Sequence, residues 1–306
     1  MMLSPSEILA SPQDPRRQIA DFRPDPALRT KCGLDKNPTC RFVDRLHHAG
    51  TSVRLPEAIA QALAEVRSAA SPHLRCTAPP FATGSALERY DFIGPKAAHD
   101  FIRIGLFTGI HGDEPAGPLA AARLLSQLTR QPHLATGYHL TVYPTINPHG
   151  LAAGTRNDEE GFDLNREFWK ESSRPAVRLL EQELRTARFQ GIIALHADDT
   201  CEGLYGYAHG RLLNEELLRP ALRASGQHLP MDQRPLIDGF AADEGVIHFC
   251  FPGVLSAPAD QHPAPFDIIL ETPAKAPEDL QAAAMVDGVL AILAEYRRFI
   301  AFGGDL

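Results

Sequence analysis

The chain has one tryptophan, four methionines and only five cysteines among its 306 residues. The cysteines, Cys32, Cys40, Cys76, Cys201 and Cys250, are odd in number and widely spaced. No disulfide framework is expected from them, and a reducing, cytoplasmic setting is the default. No apolar run approaches the roughly 18 continuous residues that a membrane span needs. Met1 to Glu7 lacks the basic stretch followed by an apolar stretch that marks a secretory leader. Basic residues are outnumbered, 30 against 38, giving a net charge of −8, which argues against nucleic-acid binding because phosphate neutralisation needs clustered Lys and Arg. The chain does have 44% hydrophobic residues, enough over this length for a well-buried core.

Proline is concentrated early. Pro5, Pro12, Pro15, Pro24, Pro26 and Pro38 interrupt any regular element in residues 1–50, which read as an extension preceding a single domain over 51–306. Cys32, Cys40, His47 and His48 within that extension match no usual zinc spacing. Further on, strand-like and helix-like segments alternate. Helical spacing covers Pro56–Ala70, Pro115–Thr129, Arg174–Phe189, Leu212–Ala224 and Pro277–Ile300. The inward positions of the last are expected to be Leu280, Ala284, Val289, Leu293 and Tyr296. Strand-like runs cover Arg89–Ile93, Phe101–Thr108, Tyr138–Tyr143, Ile192–Leu195 and Asp267–Leu270. This alternation predicts a three-layer α/β/α sandwich with a mixed, largely parallel central sheet.

In such folds, sites lie beyond the carboxyl ends of the strands. His111, His196 and Glu271 each follow an apolar run closely, and Glu114 stands three residues after His111 in Gly109-Ile110-His111-Gly112-Asp113-Glu114. A lone His-x-x-Glu is common on surfaces and at caps. Two imidazoles and a carboxylate at strand ends form a stronger set, because His, His and Glu leave a tetrahedral zinc one open position.

After these residues come Asn147-Pro148-His149-Gly150, Gly154-Thr155-Arg156-Asn157, and Gly161-Phe162-Asp163-Leu164-Asn165-Arg166. With this series, residues 90–300 resemble the zinc carboxypeptidase superfamily, which joins M14-like metallocarboxypeptidases and peptide amidases to the succinylglutamate desuccinylase/aspartoacylase deacylases. The resemblance implies a zinc carboxypeptidase-like fold with one Zn2+ per chain held by His111, Glu114 and His196. It also implies Asp163 as the carboxylate behind a ligand imidazole, and Arg156 as the stabiliser of the oxyanion. Asn165 and Arg166 would grip a substrate carboxylate, and Glu271 would be the general base.

The match departs from the family in one place. No Tyr occurs between Gly239 and Phe249, where the carboxypeptidases place one on a loop; Tyr205, Tyr207, His248 and the pair Asp198-Asp199 are the local alternatives. The interval from Glu114 to His196 is shorter than in the digestive carboxypeptidases, while the single helix after Glu271 contrasts with the further β-rich domain of the deacylases. The expectation is therefore a metallocarboxypeptidase-like hydrolase acting on small peptides. An N-acyl-amino-acid deacylase is the nearest alternative, and an inactive binding module that keeps the fold is the alternative from another class. Neither nucleic acid nor membrane is expected as a partner, and self-association is left open.

Overall fold

The computed structural model describes residues 54–77, 87–97, 100–208, 214–249, 251 and 253–303. The expectations for residues 1–50 lie outside this set. Helix α1 (Glu57–Ser68) leads into β1 (Leu74–Thr77), β2 (Arg89–Ile93) and β3 (Ile102–Thr108), then α2 (Ala116–Arg130) and β4 (Tyr138–Tyr143). A short helix α3 (Pro148–Ala153) and the longer α4 (Pro175–Ala187) precede β5 (Gly191–Asp198) and β6 (Tyr205–Ala208). Helix α5 (Arg219–Ser225), the small strands β7 (Leu236–Ile237), β8 (Phe240–Asp243) and β9 (Val246–Ile247), then β10 (Phe266–Pro273) and α6 (Glu278–Gly303) complete the order.

The strands form one sheet in the order β1-β2-β4-β3-β5-β10-β6-β9-β8-β7. Its centre, β4-β3-β5-β10, is parallel, and antiparallel ladders flank it. Side chains alternate across it, as the period of two requires. Along β5, Ile193 and Leu195 join one apolar layer with α1, α2, α5 and α6, whereas Ile192 packs into a second layer with α4. The architecture is thus an α/β sandwich with helices on both faces of a mixed sheet.

Several boundaries differ from the expectation. The strands expected to stop at Leu195 and Leu270 run on to Asp198 and Pro273, because the β5–β10 ladder continues through Glu271↔His196 to Pro273↔Asp198. The helix expected over Leu212–Ala224 is present from Asn214, the first described residue of that span, to Ser225, but opens with a wider turn over Asn214–Leu218 before α5 begins at Arg219. Pro220, with no N–H to donate, sits in the first turn of α5, where the wider turn gives way to regular helix. Leu280, expected inward on α6, is 40% exposed in its first turn; Ala284, Val289 and Leu293 are buried.

Candidate active site

The parallel centre of the sheet delivers its side chains to one place. His111 and Glu114 lie in the turn between β3 and α2, where Gly109 adopts φ of +62°. A Cβ on Gly112 would come within 1.9 Å of the Gly150 carbonyl carbon, so only glycine lets this turn approach α3 so closely. His196 enters from β5 next door. His111, Glu114 and His196 are all buried, and each offers a donor atom within 4.8 Å of the others.

The contacts are specific. Nδ1 of His111 is 2.6 Å from Glu114 Oε1, and Nδ1 of His196 is 3.0 Å from Glu114 Oε2. The two Nδ1 atoms face each other at 3.3 Å. Nε2 of His111 lies 3.2 Å from Asp163 Oδ1, the arrangement in which Nε2–H donates and Nδ1 keeps its lone pair. Two ring nitrogens facing one another beside a carboxylate need a cation or a proton between them. The donor set therefore fits a divalent metal with imidazole and carboxylate ligands, zinc being the usual one.

Electrostatics follow from this crowding. Burial works against charge on Glu114, yet His111 and His196 outweigh it and hold the carboxyl far below its usual range. Burial also opposes charge on His111, but Glu114 and Asp163 win and raise it, whereas burial dominates at His196 and lowers it. Asp163 is likewise pulled well down against its burial by His111 and Arg156.

Arg156 is half-exposed at the rim, with Nε donating to Asp163 Oδ2 at 3.1 Å and Nη1 3.5 Å from Glu114 Oε1. Its backbone carbonyl accepts from Asn147 Nδ2 at 3.3 Å and from Gly112 N–H at 3.4 Å. Asn147 also accepts from Gly150 N–H at 2.9 Å, capping α3. This bracketing of Arg156 was not foreseen from the Asn-Pro-His-Gly motif, whose only sequence signal is a residue type suited to helix caps.

Glu271 stands opposite His196 in the β5–β10 ladder and opposite Tyr205 in the β10–β6 ladder, on the same face as His196. Burial, followed by the carboxylates of Glu114, Asp198 and Asp238, raises its pKa well above the usual range, with Arg156 opposing. No ion pair joins Glu271 to Arg156 among the described residues; the partners of Arg156 are Asp163 and Glu114. Asn165 is buried, and its Oδ1 accepts from Leu255 N–H at 2.9 Å, leaving Nδ2 as the end able to donate. The Arg166 guanidinium lies 5.4 Å from the Phe251 ring centroid. Tyr205 donates to Asp198 Oδ2 and Tyr207 to Asp238 Oδ2, each at 3.1 Å, so both buried tyrosines are committed within the wall. Asp198 also accepts from the Thr200 N–H and hydroxyl, each at 2.8 Å.

Residues 101–201 match the family model of the succinylglutamate desuccinylase/aspartoacylase catalytic domain. Among solved structures, a candidate metallopeptidase from Shewanella baltica OS155 is similar at 21% identity and a TM-score of 0.64, covering 77% of this chain and 90% of that one. A second candidate metallopeptidase, from Shewanella denitrificans OS217, is similar at 25% identity and 0.63, covering 77% and 88%. The metallo-carboxypeptidase of Pseudomonas aeruginosa shares the fold at 15% identity and 0.58, covering 78% and 68%. No curated protein matches the chain. The family model over residues 101–201 and the shared fold agree in their direction: this part of the chain is similar to the superfamily that joins the metallocarboxypeptidases to these deacylases.

Proposed function

We propose that the protein is a zinc-dependent hydrolase that cleaves an amide bond next to a residue with a free carboxylate, in the manner of a metallocarboxypeptidase. The observation that carries this reading is the convergence of His111, Glu114 and His196 with Glu271 registered directly beside His196. A zinc ion held by the two imidazoles and Glu114 would supply Lewis acidity. Asp163 keeps the proton on His111 Nε2, so that the other ring nitrogen stays free to bind. Glu271 accepts a proton from the attacking water and returns it to the leaving nitrogen. Arg156, at the rim, stabilises the negative charge that develops on the former carbonyl oxygen. Asn165 Nδ2 and Arg166 bind the substrate carboxylate.

A second reading, an N-acyl-amino-acid deacylase, is favoured by one observation: the matching family model is that of the deacylase catalytic domain. Both readings use the same residues and differ in the acyl side of the bond. Release of free amino acid from C-terminal dipeptides, measured beside release from N-acyl amino acids, separates them. Cleavage of N-acyl amino acids alone would replace the first reading with the second. Glu271→Gln is expected to keep its metal and lose activity by on the order of a thousandfold; turnover close to wild type would remove Glu271 as the base.

A further inference from the structure

We propose that Arg174, outside every motif described above, is a positioning residue that holds the loop carrying Arg156 and Asp163. The proposal rests on the hydrolase reading for what those two side chains do.

No residue in 152–162 is buried, so nothing apolar anchors this loop. Its shape depends on polar ties. At the base, Asn147 and Gly112 hold the Arg156 carbonyl, and Arg156 meets Asp163 across the loop at 3.1 Å. Between them the chain forms a tight turn. Asp158 Oδ1 accepts from Glu160 N–H at 3.0 Å and Phe162 N–H at 2.8 Å, and Asp158 N–H donates to the Phe162 carbonyl at 2.9 Å.

These bonds make the turn stiff but lie within it, and at its tip only the exposed pair of Glu159 with His149 reaches α3. Arg174 supplies the attachment to the core. Its Nη1 is 2.7 Å from Glu160 Oε2 and 3.6 Å from Asp158 Oδ2, and its guanidinium lies 4.3 Å from the Phe162 ring centroid. The side chain is only 12% exposed, and that of Asp158 15%, so this pair is screened less than an ordinary surface pair, whereas Glu160 is exposed. Arg174 immediately precedes α4, whose Val177, Leu180 and Leu184 are buried in the core. One guanidinium thus fastens the turn, through two carboxylates and a ring, to a helix fixed by apolar packing; the turn's other outward tie, His149 Nε2 3.3 Å from Glu159 Oε2, is a solvent-exposed pair to the short helix α3. Because Arg156 and Asp163 flank that turn, a tip free to swing loosens both. Asp163 then holds His111 less well, and Arg156 loses its aim.

The test uses the full chain with Co2+ as a spectroscopic probe in the metal site. Arg174→Ala, Arg174→Lys and the loop variant Asp158→Asn/Glu160→Gln are compared with the wild type. For Arg174→Ala the expected result is a fall in kcat of about tenfold with KM nearly unchanged. Affinity for Co2+, by chelator competition, falls several-fold, and the Co2+ absorption bands shift. Arg174→Lys, which keeps charge but not the planar fork, recovers part of the loss. The loop variant repeats the Arg174→Ala pattern. A folded Arg174→Ala with wild-type kcat, Co2+ affinity and spectrum overturns the proposal. Should Arg174→Ala not fold, the loop variant, altered only on the turn, decides the matter through the same measurements: wild-type values in it overturn the proposal equally. A wild-type chain that binds Co2+ but cleaves neither peptides nor N-acyl amino acids defeats the hydrolase reading alone, since the cobalt measurements need no substrate.

Discussion

Asp163 divides two carboxylate oxygens among three partners. Oδ1 faces His111 Nε2 and accepts from Asn165 N–H at 2.9 Å, while Oδ2 accepts from Arg156. One side chain therefore sets the His111 tautomer, starts the turn that presents Asn165 and Arg166, and orients Arg156. Asp163→Ala is expected to weaken metal binding by about 10–100-fold, read by chelator competition; unchanged affinity would remove its role behind His111. Arg166→Ala is expected to raise KM for carboxylate-bearing substrates by on the order of tenfold or more while leaving metal content intact. An equal response from substrates lacking the free carboxylate would detach Arg166 from that group. The identities of Asp163, Arg156 and Arg166 were legible in the sequence as residue types within short motifs. The division of Asp163's oxygens was not, because it depends on residues brought together from distant positions.

Elements were legible in proportion to their length. The periodicity of α2, α4 and α6, and the apolar runs of β3, β5 and β10, are strong patterns whose boundaries shift by only a few residues. Strands β7 and β9 have two residues each, too few to show a period, and they form by completing a ladder begun elsewhere. Strand β10 also carries a prediction at its other end. Asp267 is half-buried, and burial raises its pKa to about 7, although its Oδ2 accepts from Ala257 N–H at 3.4 Å. The folded chain thus keeps a proton that the unfolded chain releases near pH 4, and stability falls as pH rises from about 4 to 7. Asp267→Asn is expected to remove this slope. Relative to wild type it gains on the order of 2 kcal/mol between pH 4 and pH 8, about half the full shift because water reaches the carboxyl. Urea unfolding at both pH values measures it, and parallel pH dependence in the two proteins would show that Asp267 ionises normally. Asp91, which links β2 to β4, has the opposite sign. Burial opposes its charge, but His139 and Arg89 lower its pKa to about 2, so its contribution is intact above about pH 4 and is lost as pH falls towards 2.

Across the whole molecule, the candidate site draws on three adjacent strands and the turns beyond them. No helix among the described residues is long and apolar enough to cross a membrane. A metal bound to the folded chain alone should stabilise all of it, by about 4 kcal/mol at free metal a thousandfold above Kd. For a domain of this size that is roughly 10 °C in Tm. Thermal unfolding with and without a chelator tests it, and an unchanged Tm would argue against an ion held by His111, Glu114 and His196. The sandwich itself could be inferred from alternating elements. The antiparallel pairing of the flanking strands could not, although Arg89–Ile93 was legible as a strand, because that pairing follows from edges that exist only once the centre has assembled. That centre has a temporal corollary. The β3–β5 and β5–β10 ladders each join segments far apart along the chain. A polypeptide emerging from the ribosome therefore acquires both imidazoles long before Glu271, and the arrangement of the candidate site is complete only once β10 has docked.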